Sequence, residues 1–574
     1  MPSLPLGKYL FRYLREKGVE HCFGLPGDYI LPLYRALEDT EGIVPIVGTH
    51  EPCAAFSADA YARQRGLGVL LVTYGVGGFN ALNGVAGAYA ESSPLLIITG
   101  GPPSGYRTDG EWTVPQKHHV VKSETDQLEI YKNITAKALR IENAAGAAPV
   151  IEGIVEEAVK RQLPVYLEIP TDLMNAEILS GEIKEKEAEA EDDVLKNVVE
   201  NFIDRIEKAT RPVLLVGVEA SRYRLQEDIV RIMNARGIPA ATTVLGKGFL
   251  PETSPGVLGV YAGVLSAHPD VRHAIEESDL VIFVGGKVTD INCGAFTADL
   301  KKDKLLIAKS DWIGDGYGRF ADGIPLTLFI EELARAMPES KTKPEWPRAK
   351  RFDYQSSDSL MDKFIGVIGQ CLNENSVLLA DTGDSSYSSL FVTTHRENGY
   401  LAPTFYNTMG FAVPAALGAQ LADPNSRAVV LVGDGAFQMT GMEFSNFVRY
   451  GLDTIVIVFN NAGFGMQRVF TDGPFNDVGL WDYTEIPKLV GGGKAWRART
   501  PEELLEILGE AAQFRQGPSL IEVIVGKGII STGLRILTEA LAREKTGLCP
   551  LDYGTETICK HASKCAYCRA AIWK

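Results

Sequence analysis

Short apolar runs alternate with amphipathic helical patterns along most of the chain. The runs consist largely of branched and aliphatic residues and form three groups, at residues 69–72, 95–99 and 165–169, then 213–216, 281–284 and 305–308, and finally 428–432 and 454–459. Uninterrupted apolar runs of this length are typical of parallel strands that helices cover on both faces. The pattern therefore predicts an α/β fold with three doubly wound parallel-sheet domains.

Two polar segments separate these groups of runs. Residues 180–196 are highly charged, and residues 338–351 are polar and contain proline, so both segments suit solvated linkers better than a core. The similar patterns at the two ends of the chain suggest a duplicated plan. The predicted organisation is a first domain, a middle domain, a third domain and a cysteine-rich tail, at residues 1–180, 197–337, 352–545 and 546–574.

Composition narrows the classes of function. The net charge of −16 opposes binding to nucleic acid, which depends on clustered Lys and Arg. No apolar stretch approaches the roughly 20 residues of a membrane span, and the N-terminus lacks the apolar region and cleavage site of a signal peptide. We therefore expect a cytoplasmic protein. Its first 540 residues hold only scattered cysteines that we expect to be reduced, namely Cys22, Cys53, Cys293 and Cys371.

Two turns in the last third of the chain carry the strongest chemical signal. Gly433-Asp434-Gly435 follows one predicted strand and Asn460-Asn461 follows the next, with a helix predicted at residues 437–450 between them. In a βαβ unit of this length, Asp434 and Asn461 meet at the carboxyl edge of the sheet, where open α/β folds bind ligands. The glycines let a diphosphate approach the backbone, and the oxygens of Asp434 and Asn461 suit Mg²⁺.

Taken singly, these dipeptides are also ordinary turn sequences. Together, at this spacing, they resemble the signature of thiamine diphosphate enzymes, and the resemblance extends in domain order from residue 8 to about residue 542. It implies thiamine diphosphate and Mg²⁺ as cofactors, with a metal site formed by Asp434, Asn461 and the carbonyl of Gly463. The cofactor-binding residues that it implies are Thr382, Asp384, Met409, Gly433, Asp434, Gly435, Ala436 and Asn461. Without the resemblance, Met409 is equally well a core residue.

The first domain contributes the candidate acid–base residues. The segment HEPCAAFSADAYAR, which contains Glu51, resembles the one with the activating glutamate of thiamine enzymes, although a carboxylate at a helix start is also a common structural feature. In the family this glutamate shares a proton with the aminopyrimidine of the cofactor. The turn PGDY with Asp28, and the pair His118-His119, resemble the proton relay of the 2-keto acid decarboxylases. A solvated loop is the alternative interpretation of the histidine pair.

The same resemblance is strongest for phenylpyruvate and indolepyruvate decarboxylases. Ser386 stands where pyruvate decarboxylases carry a tryptophan, and it leaves room for an aromatic substrate; Met466 and Phe470 are further predicted pocket residues. Gln467 replaces a second active-site glutamate of most family members, and an amide cannot exchange a proton as a carboxyl does. Asp290 resembles an acidic residue near the active site of this subgroup and is a candidate to compensate.

The predicted activity is non-oxidative decarboxylation of a small-molecule 2-keto acid to the aldehyde and CO₂, with pyruvate as a further candidate substrate. Alternatives are a carboligase similar to acetohydroxyacid synthase and a catalytically silent binding homologue, both prompted by Gln467. A nicotinamide dehydrogenase is a weaker alternative, because the glycines at residues 75–78 lack the GxGxxG spacing.

The family arrangement implies a homodimer or homotetramer, with each site shared between the first domain of one subunit and the third domain of another. The tail departs from the family pattern. Its cysteines, with His561, have types and spacings that zinc accepts, and a disordered extension is the alternative.

Overall fold

The computed structural model describes residues 3–108, 113–179, 192–338, 346–347 and 350–545. The cysteine-rich tail lies outside these residues. Three large sheets organise the described chain, and helices flank each of them. None of the described helices has both the length and the apolar character that crossing a membrane requires.

The first domain has a six-stranded sheet in which every pairing is parallel, in the order β3-β2-β4-β5-β7-β6. A separate antiparallel pair, β1 and β8, joins its two ends. Its strands are β1 (Ser3–Pro5), β2 (His21–Gly24), β3 (Val44–Val47), β4 (Gly68–Val72), β5 (Leu95–Gly101), β6 (Lys137–Arg140), β7 (Val165–Pro170) and β8 (Glu177–Leu179). Its helices are α1 (Leu6–Glu16), α2 (Leu31–Glu38), α3 (Glu51–Arg65), α4 (Val76–Ala90), α5 (Asp126–Tyr131) and α6 (Ala147–Arg161).

The middle domain has a seven-stranded sheet in the order β11-β10-β9-β12-β13-β14-β15, of which the last two pairings are antiparallel. The sheet is therefore mixed, because short connections return β14 and β15 beside β13 without a crossover helix. Its strands are β9 (Pro212–Val216), β10 (Ala240–Thr242), β11 (Val257–Val260), β12 (Leu280–Val284), β13 (Leu305–Ala308), β14 (Trp312–Asp315) and β15 (Arg319–Asp322). Its helices are α7 (Asp192–Lys208), α8 (Val218–Arg222), α9 (Gln226–Arg236), α10 (Pro269–Glu276) and α11 (Leu326–Ala336), so the end of the predicted charged linker is helical.

The third domain has a second all-parallel six-stranded sheet, in the order β17-β16-β18-β19-β21-β20. Its strands are β16 (Ser376–Ala380), β17 (Tyr400–Leu401), β18 (Arg427–Gly433), β19 (Ile455–Asn460), β20 (Lys494–Ala498) and β21 (Ser519–Ile524). Its helices are α12 (Leu360–Gln370), α13 (Asp384–Ser389), α14 (Ala412–Ala422), α15 (Asp434–Thr440), α16 (Phe444–Arg449), α17 (Gly465–Phe470), α18 (Ile486–Leu489), α19 (Pro501–Gln513) and α20 (Thr532–Lys545).

The predicted helix at residues 437–450 is wrong in its bounds. The chain forms α15, a 3₁₀ turn at Gly441–Glu443 and then α16. Thr440 leaves the helical conformation, and its hydroxyl donates to the carbonyl of Gly410 at 2.7 Å, while Glu443 is bonded to the first domain. Bonds to distant parts of the chain therefore override the local helical pattern.

The two parallel sheets share one strand order when their strands are numbered along each domain, which agrees with the expected duplication. The helices that follow their second strands, α3 and α14, pack against each other in one core that joins the two domains. Both helices are rich in small residues, and a side chain on Gly418 would lie 1.8 Å from the carbonyl oxygen of Ser57. This close packing fixes the first domain against the third within one chain.

Candidate functional site

A cavity opens at the carboxyl ends of the central strands of the third domain. Strands β18 and β19 are adjacent and parallel, and Gly433 pairs with Phe459, so the two turns emerge side by side as predicted. The lining residues are Met361, Thr382, Gly383, Asp384, Ser385, Met409, Gly433, Asp434, Gly435, Ala436, Phe459, Asn461, Gly463, Phe464, Gly465, Met466, Gln467, Val525 and Ile529.

Three oxygen atoms converge at the floor of this cavity. Oδ1 of Asn461 lies 3.2 Å from Oδ1 of Asp434 and 2.7 Å from the carbonyl oxygen of Gly463. Only a cation among the oxygens, or rotation of the amide so that its nitrogen donates, makes this arrangement favourable. In an octahedral magnesium shell with bonds of about 2.1 Å, neighbouring oxygens lie about 3 Å apart. The donor set and its spacing therefore fit Mg²⁺.

Asp434 itself is almost completely buried. Burial raises the pKa of this carboxyl to about 6, although backbone N–H groups, including that of Gly463 at 3.1 Å, oppose the shift. A bound cation would favour the ionised carboxylate that it needs as a ligand.

Glycines keep the cavity open beside the backbone. A side chain on Gly433 or Gly383 would meet no other atom within 4 Å, so the space against both residues is empty. Gly435 differs, because a side chain there would lie 2.5 Å from the ring of Phe464, which occupies that space. Two of these glycines thus leave the clearance that a diphosphate needs to approach the main chain.

Other predicted cofactor residues sit around this floor. The hydroxyl of Thr382 donates to the carbonyl of Thr408 at 2.9 Å, next to Met409 on the cavity wall. Asp384 accepts a hydrogen bond from the N–H of Ser531 at 2.9 Å and another from the Ser531 hydroxyl. Burial raises the pKa of Asp384 to about 6 against those bonds. Asp384 thus anchors the residues that precede α20 beside the cavity.

In the first domain, the predicted relay residues come together at the carboxyl edge of the sheet. Nε2 of His118 is hydrogen-bonded to Oδ2 of Asp28, and Nε2 of His119 lies 3.6 Å from Oδ1 of Asp28. The ring of Tyr29 packs beside both imidazoles at centroid distances of 4.9 and 5.9 Å. Burial raises the pKa of Asp28, but the bonds from His118 and the backbone outweigh it, and the net shift is downward. About half of the Asp28 side chain is exposed in the single chain.

Glu51 is the first residue of α3 and lies at the same edge. Its Oε2 accepts a hydrogen bond from Asn80 at 3.1 Å, and only 14% of its side chain is exposed. Gly77, at the start of α4, approaches Oε1 of Glu51, since a side chain there would lie 3.6 Å away. The described lining of the cavity contains no residue of the first domain, so one chain does not bring Glu51 to the metal-site residues.

The predicted substrate residues occupy different places. Met466 and Gln467 line the cavity, with Gln467 exposed at its mouth, whereas Phe470 is a partly exposed residue at the end of α17. Ser386 is buried in α13 and is not among the lining residues, although its neighbour Ser385 is. Asp290 lies on an exposed turn of the middle domain, and its charge contributes to the raised pKa of Tyr387 in α13.

Sequence reasoning missed several residues that hold the site together. Asp381 is fully buried and accepts hydrogen bonds from the N–H groups of Thr382, Gly410 and Ala412 at 2.8–2.9 Å, which fixes the loop that carries Met409. Gln127 in the first domain is equally buried and is bonded to the start of α4. Asp381 directly precedes Thr382, which the resemblance includes in the cofactor site, whereas no sequence pattern identifies Gln127.

Comparisons with known proteins agree with this architecture. Three family models match the chain: the N-terminal TPP binding domain of thiamine pyrophosphate enzymes at residues 5–130, their central domain at residues 199–312, and their C-terminal TPP binding domain at residues 381–523. The first of these models contains Asp28, Glu51, His118 and His119, and the last contains Asp434, Asn461 and Gly463.

Curated relatives are similar over nearly the whole chain. An indole-3-pyruvate decarboxylase of Azospirillum brasilense is 34% identical over 544 residues, which span 92% of this chain and 97% of the relative. A probable pyruvate decarboxylase of Schizosaccharomyces pombe is 29% identical, spanning 91% of this chain and 94% of the relative, and pyruvate decarboxylase 2 of Arabidopsis thaliana is 31% identical, spanning 91% and 88%. The chain belongs to the 2-keto acid decarboxylases that depend on thiamine diphosphate, and it is therefore a carbon–carbon lyase.

Proposed function

We propose that this enzyme decarboxylates an aromatic 2-keto acid, phenylpyruvate or indolepyruvate in preference to pyruvate, with Mg²⁺ as the metal. The observation that carries the metal assignment is the convergence of Asp434, Asn461 and Gly463 oxygens below a glycine-lined cavity. The aromatic preference is supported by the indole-3-pyruvate decarboxylase among the relatives and by the resemblance that places Ser386 where pyruvate decarboxylases carry a tryptophan.

Bound thiamine diphosphate supplies the nucleophilic carbon and the electron sink for the loss of CO₂. Asp434, Asn461 and Gly463 would hold the magnesium ion for its diphosphate, and Met409 would support the cofactor from the wall. Glu51 would hold a proton for exchange with the pyrimidine ring, while His118, His119 and Asp28 would carry protons to and from the substrate. Because Gln467 cannot donate a carboxyl proton, the relay in the first domain has to protonate the product.

The proposal requires an assembly in which Glu51 of one subunit meets the cavity of another. Its support is that Asp28 in the first domain and Gln467 at the mouth of the third-domain cavity are both exposed in the single chain, so each half of the site is open to another subunit. In the segment after α17, next to the cavity, the exposed fractions of Phe475, Leu480 and Trp481 are 68%, 83% and 40%. Large exposed apolar side chains that cluster in this way mark a protein contact surface. A homodimer is the minimum, and a homotetramer satisfies the same requirement.

Release of CO₂ from a panel of 2-keto acids tests the function. The panel includes phenylpyruvate, indolepyruvate, benzoylformate and pyruvate, with thiamine diphosphate and Mg²⁺ added together, singly or omitted. We expect the highest kcat/KM for an aryl pyruvate and no turnover without the cofactor. A preference for pyruvate would overturn the substrate assignment.

Carboligation is the second candidate, and Gln467 at the cavity mouth favours it because slow protonation gives an added aldehyde time to react. Analysis of products with and without benzaldehyde separates the two activities. A free aryl acetaldehyde as the main product in both mixtures supports decarboxylation, whereas a hydroxyketone without free aldehyde supports a carboligase. Cofactor binding without CO₂ release from any substrate would indicate a silent homologue.

A further inference from the structure

A buried chain of hydrogen bonds in the first domain ends at the backbone beside the histidine pair. Its centre is Gln127 of α5, whose side chain is completely buried. Oε1 of Gln127 accepts from the N–H of Gly75 at 2.8 Å, and Nε2 donates to the hydroxyls of Tyr166 at 2.7 Å and Thr99 at 3.1 Å. Because the N–H of Gly75 can only donate, the orientation of this amide is fixed.

At the end away from Gly75, the hydrogen-bond chain terminates in an ion pair in the core. The hydroxyl of Tyr166 donates its single proton to Oε2 of Glu168 at 2.9 Å, so its oxygen remains free to accept from Gln127. Oε1 of Glu168 lies 3.2 Å from Nη1 of Arg140, and both side chains are buried. The ring of Tyr166 is also stacked on that of Tyr131 at 4.1 Å. Ring stacking and hydrogen bonding together hold Tyr166, the residue of this hydrogen-bond chain that contacts Gln127.

The other end of the hydrogen-bond chain, at Gly75, is a strained stretch of backbone. Gly75 has φ 67°, and a side chain there would lie 2.5 Å from the carbonyl oxygen of His119. His119 is itself in the left-handed region at φ 68°, which costs a residue with a side chain on the order of 1 kcal/mol or more. Gly78, one turn into α4, approaches Gln127 so closely that a side chain would lie 2.2 Å from Oε1. The start of α4 is thus enclosed between Gln127 and His119.

This enclosed segment connects the acid–base residues of the first domain. Gly75 packs against His119, and Gly77, two residues further, lies beside Glu51. A shift of the segment would therefore move both the histidine pair and Gly77, which lies beside Glu51. The N–H of Gly75 is buried, and its only acceptor among the described residues is Gln127. Loss of that acceptor would leave a buried donor unpaired, which drives the backbone to another conformation.

We propose that Gln127 is a positioning residue, which holds the start of α4 so that His118 and His119 stay in register with Asp28. The effect of these histidine positions on catalysis rests on the proposed function, whereas the positions themselves do not. Thr99, Tyr166 and Glu168 act through Gln127 by fixing which end of its amide faces Gly75. The arrangement is independent of the cofactor cavity, which lies in the third domain.

The test compares Gln127→Met with Gln127→Glu in the full-length protein. Methionine keeps the length of the side chain but removes the acceptor. Glutamate, which complete burial keeps protonated, retains an oxygen for Gly75 and an O–H in place of the amide donor. Histidine-selective ¹⁵N labelling reports the imidazoles, with His118→Asn and His119→Asn to assign the two signals. The remaining histidines serve as internal controls, and Gln226→Met removes another buried glutamine that bonds Asn398 in a different part of the molecule.

In Gln127→Met we expect the His118 and His119 resonances alone to move, and kcat for the preferred 2-keto acid to fall roughly 10-fold or more because the acid–base groups are displaced. Thiamine diphosphate affinity should fall by less than kcat does, because the metal-site residues that would anchor the diphosphate lie in the third domain. Gln127→Glu should restore both resonances and keep kcat within about 3-fold of the parent protein. Gln226→Met should leave the two signals unchanged.

Unchanged His118 and His119 signals in folded Gln127→Met would overturn the proposal. If that variant does not fold, Gln127→Asn takes its place, because it keeps an amide in the core but is one methylene too short to reach both Gly75 and Tyr166. The resonances must move there too. A parent protein without CO₂ release would contradict the proposed function alone, because the resonances would still report the register.

Discussion

Thr49 and Glu443 connect the two parallel-sheet domains within one chain. The completely buried carboxylate of Glu443 accepts hydrogen bonds from the N–H of Thr49 at 3.0 Å and from its hydroxyl at 2.5 Å. Nδ2 of Asn446 donates to the other oxygen at 2.6 Å. Thr49 stands two residues before Glu51, so Glu443, which follows α15 in the third domain, supports the loop that leads to the proposed acid–base glutamate.

Glu443→Ala should destabilise this junction. It leaves the N–H of Thr49 and the amide of Asn446 without their acceptor, and we expect a loss of about 2–4 kcal/mol in the free energy of unfolding. Urea denaturation followed by fluorescence measures the change. Glu510→Ala, at an exposed glutamate bonded to Trp496, is the matched control and should leave the urea midpoint almost unchanged, because solvent screens the interactions of an exposed charge. Equal midpoints for the two variants would contradict the role of Glu443.

Glu51→Gln should abolish turnover while the fold stays intact. The amide keeps the size of the side chain and can still bond Asn80, but it cannot exchange a proton with the cofactor. Loss of a positioned acid–base group typically costs 10²–10⁴-fold in rate, so we expect at least about 100-fold lower kcat. Steady-state CO₂ release measures this, with circular dichroism as the control for folding. Activity near that of the parent protein would refute the assignment.

Removal of divalent metal should inactivate the enzyme and release thiamine diphosphate. Dialysis against a chelator followed by addition of Mg²⁺ should restore CO₂ release, because the metal carries the attraction between the acidic Asp434 and the diphosphate. Asp434→Asn should weaken cofactor binding by about 10-fold or more, as measured by calorimetry, since one anionic ligand is lost. Asp303→Asn, at an exposed aspartate of the middle domain, should bind as the parent does.

Gly75→Ala should disturb the first domain far more than its single methyl group suggests. The positive φ and the close approach of His119 together predict a cost of about 2–3 kcal/mol or a displaced histidine loop. Gly153→Ala is the matched control, because its side chain would meet no atom within 4 Å in the middle of α6. We expect that control to be neutral or more stable by up to about 1 kcal/mol. Thermal unfolding of both variants provides the comparison.

Stability should depend on pH through Glu168. Burial raises its pKa from 4.5 to about 7 although Arg140 opposes the shift, so the folded state favours the protonated acid. This contribution is fully present below pH 4.5 and is lost as the pH rises through 7, a difference of roughly 3 kcal/mol. Glu168→Gln, which cannot titrate, should therefore show a shallower decline in urea midpoint between pH 5 and pH 8. Parallel curves for variant and parent would exclude Glu168 as the titrating group.

The sequence predicts those features that depend on local pattern. Apolar runs identify β18 and β19 to within a residue or two, because a strand buried on both faces has to be apolar throughout. Parallel pairing then brings Asp434 and Asn461 to one edge, as confirmed. The grouping of Asp28 with His118 and His119 follows from the family resemblance, and the structure places the three together. The family assignment is confirmed by the comparisons.

Tertiary structure decides what the local pattern does not encode. The break of the predicted helix at Gly441–Glu443 arises because Thr440 and Glu443 bond residues more than 25 positions away. The proposed role of Gln127 likewise depends on its hydrogen bonds to Gly75 and Tyr166. These three residues come from separate segments of the sequence, and folding brings them together. Hydrophobic periodicity specifies which residues are buried, whereas packing between segments determines which buried groups touch. The sequence alone therefore determined the apolar strands at the centre of the sheets and which polar residues follow them, because both depend on local pattern, and the three-dimensional fold decided how those edges are held.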